Sequence, residues 1–345
     1  MKATHHFRSP ASAGFTLVEL MVSSALIAVV AGLVFSLTAS TSAIWRRTTG
    51  SVEQFRGANL AFEAMTRRLS QATLNTYWDY SPKPPAVPTK YVRESDLRFL
   101  TGKMETIMTL VTPHRPTHAV FFQAPTGYVS NTANFGGLEN LLNLSGYYIE
   151  FSDDLALRPP FITTAIAPPR SRYRLMELLQ PSESLNVYKY TLSSIGGTYN
   201  RKDWVQAAVV QKPSLAHVLA DNVIALIIQP KLSKKDEVAT GKVLTKDYTY
   251  DTTNTAITDP DINPKNQLPP VVQVTLVAID EPSAAKIANG TIPPAFDTTL
   301  NTLFTDTAKY DADVTTLQQT LNSQRISYRV FTSNVGIRAA KWSRK

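Results

Sequence analysis

The sequence predicts an α+β fold, with one long N-terminal helix laid on an antiparallel, β-rich head. Three observations predict it. Leu20 to Trp45 carry no charge, and between Ser51 and Leu74 apolar or small residues recur at Phe55, Ala58, Phe62, Met65, Leu69 and Ala72, the spacing of one helical face. The remainder alternates runs of β-branched and aromatic residues with proline pairs.

The chain begins with a short leader containing Lys2 and Arg8. Small residues that would admit a peptidase occur on both sides of the apolar run: Ala11-Ser12-Ala13-Gly14 before it and Ala39-Ser40-Thr41-Ser42-Ala43 after it. A cut after the run would discard it, as in an ordinary secretory signal; a cut before it would keep the run as the mature N-terminus. The 26 residues from Leu20 to Trp45 would span about 39 Å as a helix, more than the roughly 30 Å of bilayer hydrocarbon. The basic leader suggests an inside N-terminus, while Arg46 and Arg47 sit where headgroups favour cations and weaken that asymmetry. Glu19 needs a partner, because a lone carboxylate at the bilayer centre costs roughly 2.5–3.5 kcal/mol.

Gly14-Phe15-Thr16-Leu17-Val18-Glu19, followed by an apolar run, resembles the N-terminus of type IV prepilins and type II secretion pseudopilins. The resemblance implies cleavage between Gly14 and Phe15 by a prepilin peptidase, N-methylation of Phe15, and an assembly and register role for Glu19 at the fifth mature position. It implies a single-pass protein of the bacterial inner membrane with its head in the periplasm or outside. The implied partners are the lipid bilayer, other pilin or pseudopilin subunits and an inner-membrane assembly platform. Physical chemistry agrees with the role of Glu19: a new α-amine, with a reference pKa of about 7.7–8.0, is largely cationic at neutral pH. A carboxylate of one subunit can pair with its neighbour's amine, each offsetting the other's desolvation. The alternative is an ordinary single-pass anchor with an incidental glutamate.

Residues 1–14 are thus expected to be a cleaved leader, 15–45 a transmembrane and assembly helix, and 46–76 its amphipathic continuation. Glu63 precedes Arg67 by one helical turn, which supports an exposed face. Gly50 and Gly57 are weak points, each costing about 1 kcal/mol relative to alanine. The apolar stripe is too short for a convincing coiled coil and is expected to pack on the protein's own sheet. Residues 77–105 read as a proline-rich crossover, because Pro82, Pro84, Pro85 and Pro88 forbid a helix.

The head, 106–345, is expected to carry strands at 107–111, 119–122, 147–151, 173–178, 187–190, 223–228, 271–277 and 326–331. Short helices are expected near Ser283 to Ala288 and from Asp313 to Asn322. Leu219-Ala220-Asp221-Asn222-Val223-Ile224-Ala225-Leu226, with Leu268-Pro269-Pro270-Val271-Val272-Gln273-Val274-Thr275-Leu276, is similar to the strand-loop-strand pattern of J-type minor pseudopilins. Tyr328-Arg329-Val330-Phe331, with Arg338-Ala339-Ala340-Lys341-Trp342-Ser343, resembles a pilin-like group called Verru_Chthon cassette protein C. The segment Lys231 to Asn266 makes the head larger than that of a typical J-type protein.

Catalytic chemistry is hard to find. With no cysteine there is no disulfide framework, thiolate metal site or cysteine nucleophile, although the redox compartment stays open. His114 and His118 are four apart, but Pro116 between them opposes the helix that would aim both at one metal. Asp247, Asp251, Asp259, Asp261 and Asn263 supply oxygen ligands of the kind calcium takes, without the glycine and bidentate acid of an EF-hand loop. Ser171, Ser182 and Ser184 lie in no nucleophile motif, and Asp153 and Asp154, as neighbours on a strand, would face opposite ways. No catalytic residue, metal or cofactor is expected. The formal charge of +8 is scattered rather than clustered, so nucleic acid is not expected as a partner. The expected function is a minor pilin- or pseudopilin-like structural subunit of a pilus-like or secretion filament, not an enzyme. The alternatives are an adhesion or DNA-uptake pilin and a membrane-tethered envelope enzyme.

Overall fold

The charge-free run and the apolar stripe form one helix, α1 (Leu17–Leu69). The computed structural model describes residues 16–82, 85–108, 113–138, 140–189, 202–211, 215–287 and 296–343. The chain divides into two units, one ending at Val52 and the other covering Glu53–Lys345.

In the second unit the stripe does what its spacing demands. Ala58, Ala61, Phe62, Met65 and Leu69 of α1, and Ala72 beyond its end, are buried in the main core. The Phe62 ring lies 5.9 Å from that of Phe331. Full burial of the larger of these, Phe62, Met65 and Leu69, contributes about 1.5–3 kcal/mol each. The helix continues through Gly50 and Gly57 without a break, so these glycines do not end it. Arg68 in its last turn hydrogen-bonds Glu177, which also accepts from the Tyr147 hydroxyl at 2.7 Å.

Next comes a hairpin rather than a plain crossover: β1 (Tyr77–Ser81) pairs antiparallel with β2 (Lys90–Glu94). Pro82, Pro85 and Pro88 fall between the strands, where no ladder N–H is required, and the aromatic residues occupy the strands. The chain continues through β3 (Leu100–Lys103), α2 (Met104–Ile107), β4 (His118–Pro125), α3 (Thr132–Phe135) and β5 (Leu142–Ser152). Then come β6 (Arg172–Gln180), α4 (Asn186–Lys189), α5 (Asp203–Gln211), β7 (Ala216–Asp221), β8 (Val223–Lys231) and α6 (Lys234–Thr240). The last elements are β9 (Tyr250–Asp251), β10 (Val271–Ile279), α7 (Glu281–Ile287), α8 (Phe296–Thr302), α9 (Tyr310–Ser323) and β11 (Tyr328–Gly336).

Six strands form an antiparallel sheet in the order β7-β6-β5-β4-β3-β9, and three form another, β11-β10-β8. Alternate side chains of the larger sheet serve two cores. Val120, Phe122, Tyr147 and Ile149 join α1 and the smaller sheet in the main core. Ala119, Phe121 and Tyr148 join Trp204, Val205 and Ala208 of α5 in the second. Gly146 permits this packing, since a Cβ there would lie 2.3 Å from the Phe121 ring. The long segment after β8 returns β9 to the edge of the larger sheet through Tyr250 and Asp251.

One expected strand is corrected, and a second lies mostly outside the described residues. Residues 187–190 were expected to be extended, but Asn186–Lys189 make a single helical turn that buries Val187 in the second core. In 107–111, Ile107 instead closes α2, where Met104 and Ile107 are buried together one turn apart; residues 109–112 lie outside the described residues.

Candidate assembly site at the start of the long helix

Glu19 is the third residue of α1, and Thr16 immediately precedes the helix. The Glu19 carboxylate accepts from the Thr16 backbone N–H and hydroxyl, each at 3.1 Å, while the Glu19 N–H donates to Thr16 Oγ1 at 3.3 Å. This reciprocal arrangement is a capping box: it satisfies two helix-end donors and places a negative charge at the positive end of the helix dipole. Sequence reasoning selected Glu19 and missed Thr16, although the Thr-x-x-Glu spacing before an apolar run is a legible signal. Gly14 and Phe15 lie outside the described residues.

Beyond Glu19 three hydroxyls of the helix bond back to its own carbonyls. Ser23 donates to the Glu19 carbonyl at 2.7 Å, Ser24 to Met21 at 2.9 Å and Thr38 to Val34 at 2.8 Å. The stretch from Leu17 to Ser42, 26 residues, is apolar in composition and exposed throughout. A helix, whose backbone groups are satisfied within one segment, is what hydrocarbon accepts.

The other sequence candidates are held in separate structural roles. His118 is buried; its Nδ1 accepts from the Ile228 N–H at 3.2 Å and its Nε2 donates to the Phe304 carbonyl at 3.1 Å. With Thr117 Oγ1, which accepts from the Leu226 N–H at 3.2 Å, it caps an edge of β8. Burial pushes the imidazole down to about 3, the Phe304 bond opposing and Lys103 adding to the shift. His114 pairs instead with Asp297, which also accepts from the Tyr173 hydroxyl at 3.2 Å. In the acidic loop, the Lys242 ammonium lies between Asp259 and Asp261, at 2.7 and 2.8 Å, where a bound cation would otherwise sit. These bonds raise the pKa of Lys242 and lower that of Asp259. Asp247, Asp251 and Asn263 accept from the backbone N–H groups of Thr249, Thr253 and Lys265. Among the described residues, no three acidic or histidine side chains are grouped to hold a metal. Ser171 is buried, Ser182 and Ser184 lie in a 3-10 turn, and Asp153 and Asp154 order the loop after β5.

A match to a known family falls on the same stretch as the capped helix start. Residues 10–35 match the prokaryotic N-terminal methylation motif. The motif covers Gly14, Phe15, Thr16, Glu19 and most of the apolar run, and supports a type IV prepilin-like N-terminus. It implies processing by a prepilin peptidase and assembly with other pilins, and with the exposed apolar helix it fits membrane anchoring. Comparisons of the chain with curated proteins and with solved structures returned no match.

Proposed function

We propose that the chain is a minor pilin- or pseudopilin-like structural subunit, cut between Gly14 and Phe15, N-methylated at Phe15 and assembled into an envelope filament. The observation that carries this reading is Glu19, the fifth residue counted from the proposed new N-terminus and capped by Thr16, at the start of an exposed run without charge. The role is structural rather than catalytic, with the anchor in the inner membrane and the head in the periplasm or outside. The assembly platform of that membrane extracts the helix, and lipid contacts are exchanged for helix contacts. In the free subunit Thr16 satisfies Glu19; in the filament the amine of a neighbouring Phe15 competes for the same carboxylate. Support for the J-type assignment comes from the two runs that resemble that group, since β8 and β10 pair antiparallel.

The test separates cap from charge. Glutamine can still accept at this position of a capping box, so Glu19→Gln keeps the helix start and removes the carboxylate. Membrane insertion and cleavage should be unchanged, whereas the amount of protein in sheared filaments, measured by immunoblot, should fall about tenfold or more. Glu19→Ala should fall at least as far. Wild-type incorporation of Glu19→Gln would reject the assembly role and leave only the cap.

A further inference from the structure

The β1–β2 hairpin belongs to neither larger sheet. Cross-strand pairing sets Trp78 opposite Arg93 and Tyr80 opposite Tyr91, so these four side chains share one face. Trp78 is 72% exposed and Tyr91 64%, while the Tyr80 and Tyr91 rings stack with centroids 5.0 Å apart. Large aromatic surface left in water on a separate hairpin is unusual for a side of the molecule that touches nothing.

Arg93 makes the face more specific. It is half-buried, its Nε is buried without an acceptor, and no carboxylate among the described residues pairs with its guanidinium. The nearby acids are engaged elsewhere. Glu94, on the opposite face, meets Lys265 at 3.3 Å and Asn266 at 3.3 Å. Asp96 accepts from Asn75 and from the Tyr77 hydroxyl. Burial lowers the Arg93 pKa and Tyr250 raises it. A carboxylate that reaches this unpaired guanidinium forms a charge-assisted bond, about twice as strong as a neutral one.

We propose that the Trp78–Tyr80–Tyr91–Arg93 face is a docking surface for a partner protein, which seats a carboxylate on Arg93 and lays apolar side chains on the three rings. Tryptophan, tyrosine and arginine are the residues that dominate binding energy at protein interfaces. A nucleic-acid backbone would call for a row of cations, and among the described residues of the hairpin only Lys90 joins Arg93.

The test places a photoreactive benzoylphenylalanine at Tyr91 of the full chain in its native membrane. The expected product is a protein adduct whose crosslinked peptide, mapped by mass spectrometry, contains an Asp or Glu near the attachment point. Arg93→Glu should reduce the adduct about tenfold or more, and replacing that partner acid with lysine should restore it. Arg93→Gln, a milder change, should weaken the adduct without altering the thermal transition of the head, which separates docking from folding. Adducts to lipid, glycan or nucleic acid alone, no adduct, or a protein adduct indifferent to Arg93→Glu would each overturn the proposal. The N-terminal mass of the same sample reports peptidase processing independently, so failure here is distinguishable from failure of the filament reading.

Discussion

His118 accepts a backbone proton through Nδ1, so an imidazolium there would lose the Ile228 bond and place a second donor against it. Burial holds the folded-state value at about 3, against an unfolded reference of about 6.5. The unfolded chain therefore binds a proton below about pH 6.5 that the folded chain refuses until about pH 3. The contribution to stability is intact above that window and declines through it by up to about 1.4 kcal/mol per pH unit. Between pH 7 and 5 it should cost about 2 kcal/mol, measured by urea unfolding of the full chain in detergent and followed by near-ultraviolet circular dichroism. His118→Gln should show a drop smaller by about that amount; an equal drop would exclude His118 as the cause. The sequence told that Pro116 keeps His114 and His118 off one helical face. It could not tell which would be buried, because the partners, Asp297, Ile228 and Phe304, are more than a hundred residues away. Thr16 and Glu19 are different: their interaction is local, and both residues of the cap stand in the sequence.

The segment between β5 and β6 shows how an irregular element is held without regular pairing. Its proline pairs, Pro159-Pro160 and Pro168-Pro169, mark it as a loop in the sequence. What closes it is Arg158, whose guanidinium donates to the carbonyls of Ala167 and Pro168 at 2.6 Å each and meets Asp154 at 3.0 Å. Burial would raise the Asp154 carboxyl, but the Arg170 N–H and the Arg158 guanidinium hold it below the usual carboxylate range. With its polar groups turned inward, the loop leaves Leu157, Phe161 and Ile166 exposed. Arg158→Ala should open it: cleavage by chymotrypsin at Leu155, Leu157 or Phe161 should rise several-fold, with the thermal transition of the head moving by only a few degrees. Unchanged cleavage would show that the prolines alone set the loop. Arg158→Lys should not restore resistance, because one ammonium cannot replace a planar fork that spans two carbonyls and a carboxylate. The same contrast explains the missed strands. β8 and β10 are legible because their β-branched runs are buried on both faces. The four residues of β3 and the two of β9 are strands only because a neighbour offers a ladder.

At the scale of the molecule, the sequence located the lipid-facing stretch and the core-facing stripe of α1, since both follow from helical periodicity. It did not reveal that the head has two sheets and two cores, which depends on pairings between distant segments. The division after Val52 has a consequence that can be measured. A chain beginning at Glu53 keeps Ala58, Phe62, Met65 and Leu69 in the main core and lacks the exposed apolar stretch Leu17–Ser42. It should be soluble without detergent and unfold cooperatively. A chain beginning at Leu74 also loses Phe62, Met65 and Leu69. Each removal of such a side chain from a core costs about 2–5 kcal/mol, and typical domains hold only about 5–15 kcal/mol in all. That shorter chain should therefore lack a cooperative thermal transition and near-ultraviolet circular dichroism. If both chains unfolded alike, the second half of α1 would be a passenger on the head rather than part of its core. If neither folded, the head would need the membrane-facing half of α1, and the apolar run would have a folding role in addition to its role in anchoring.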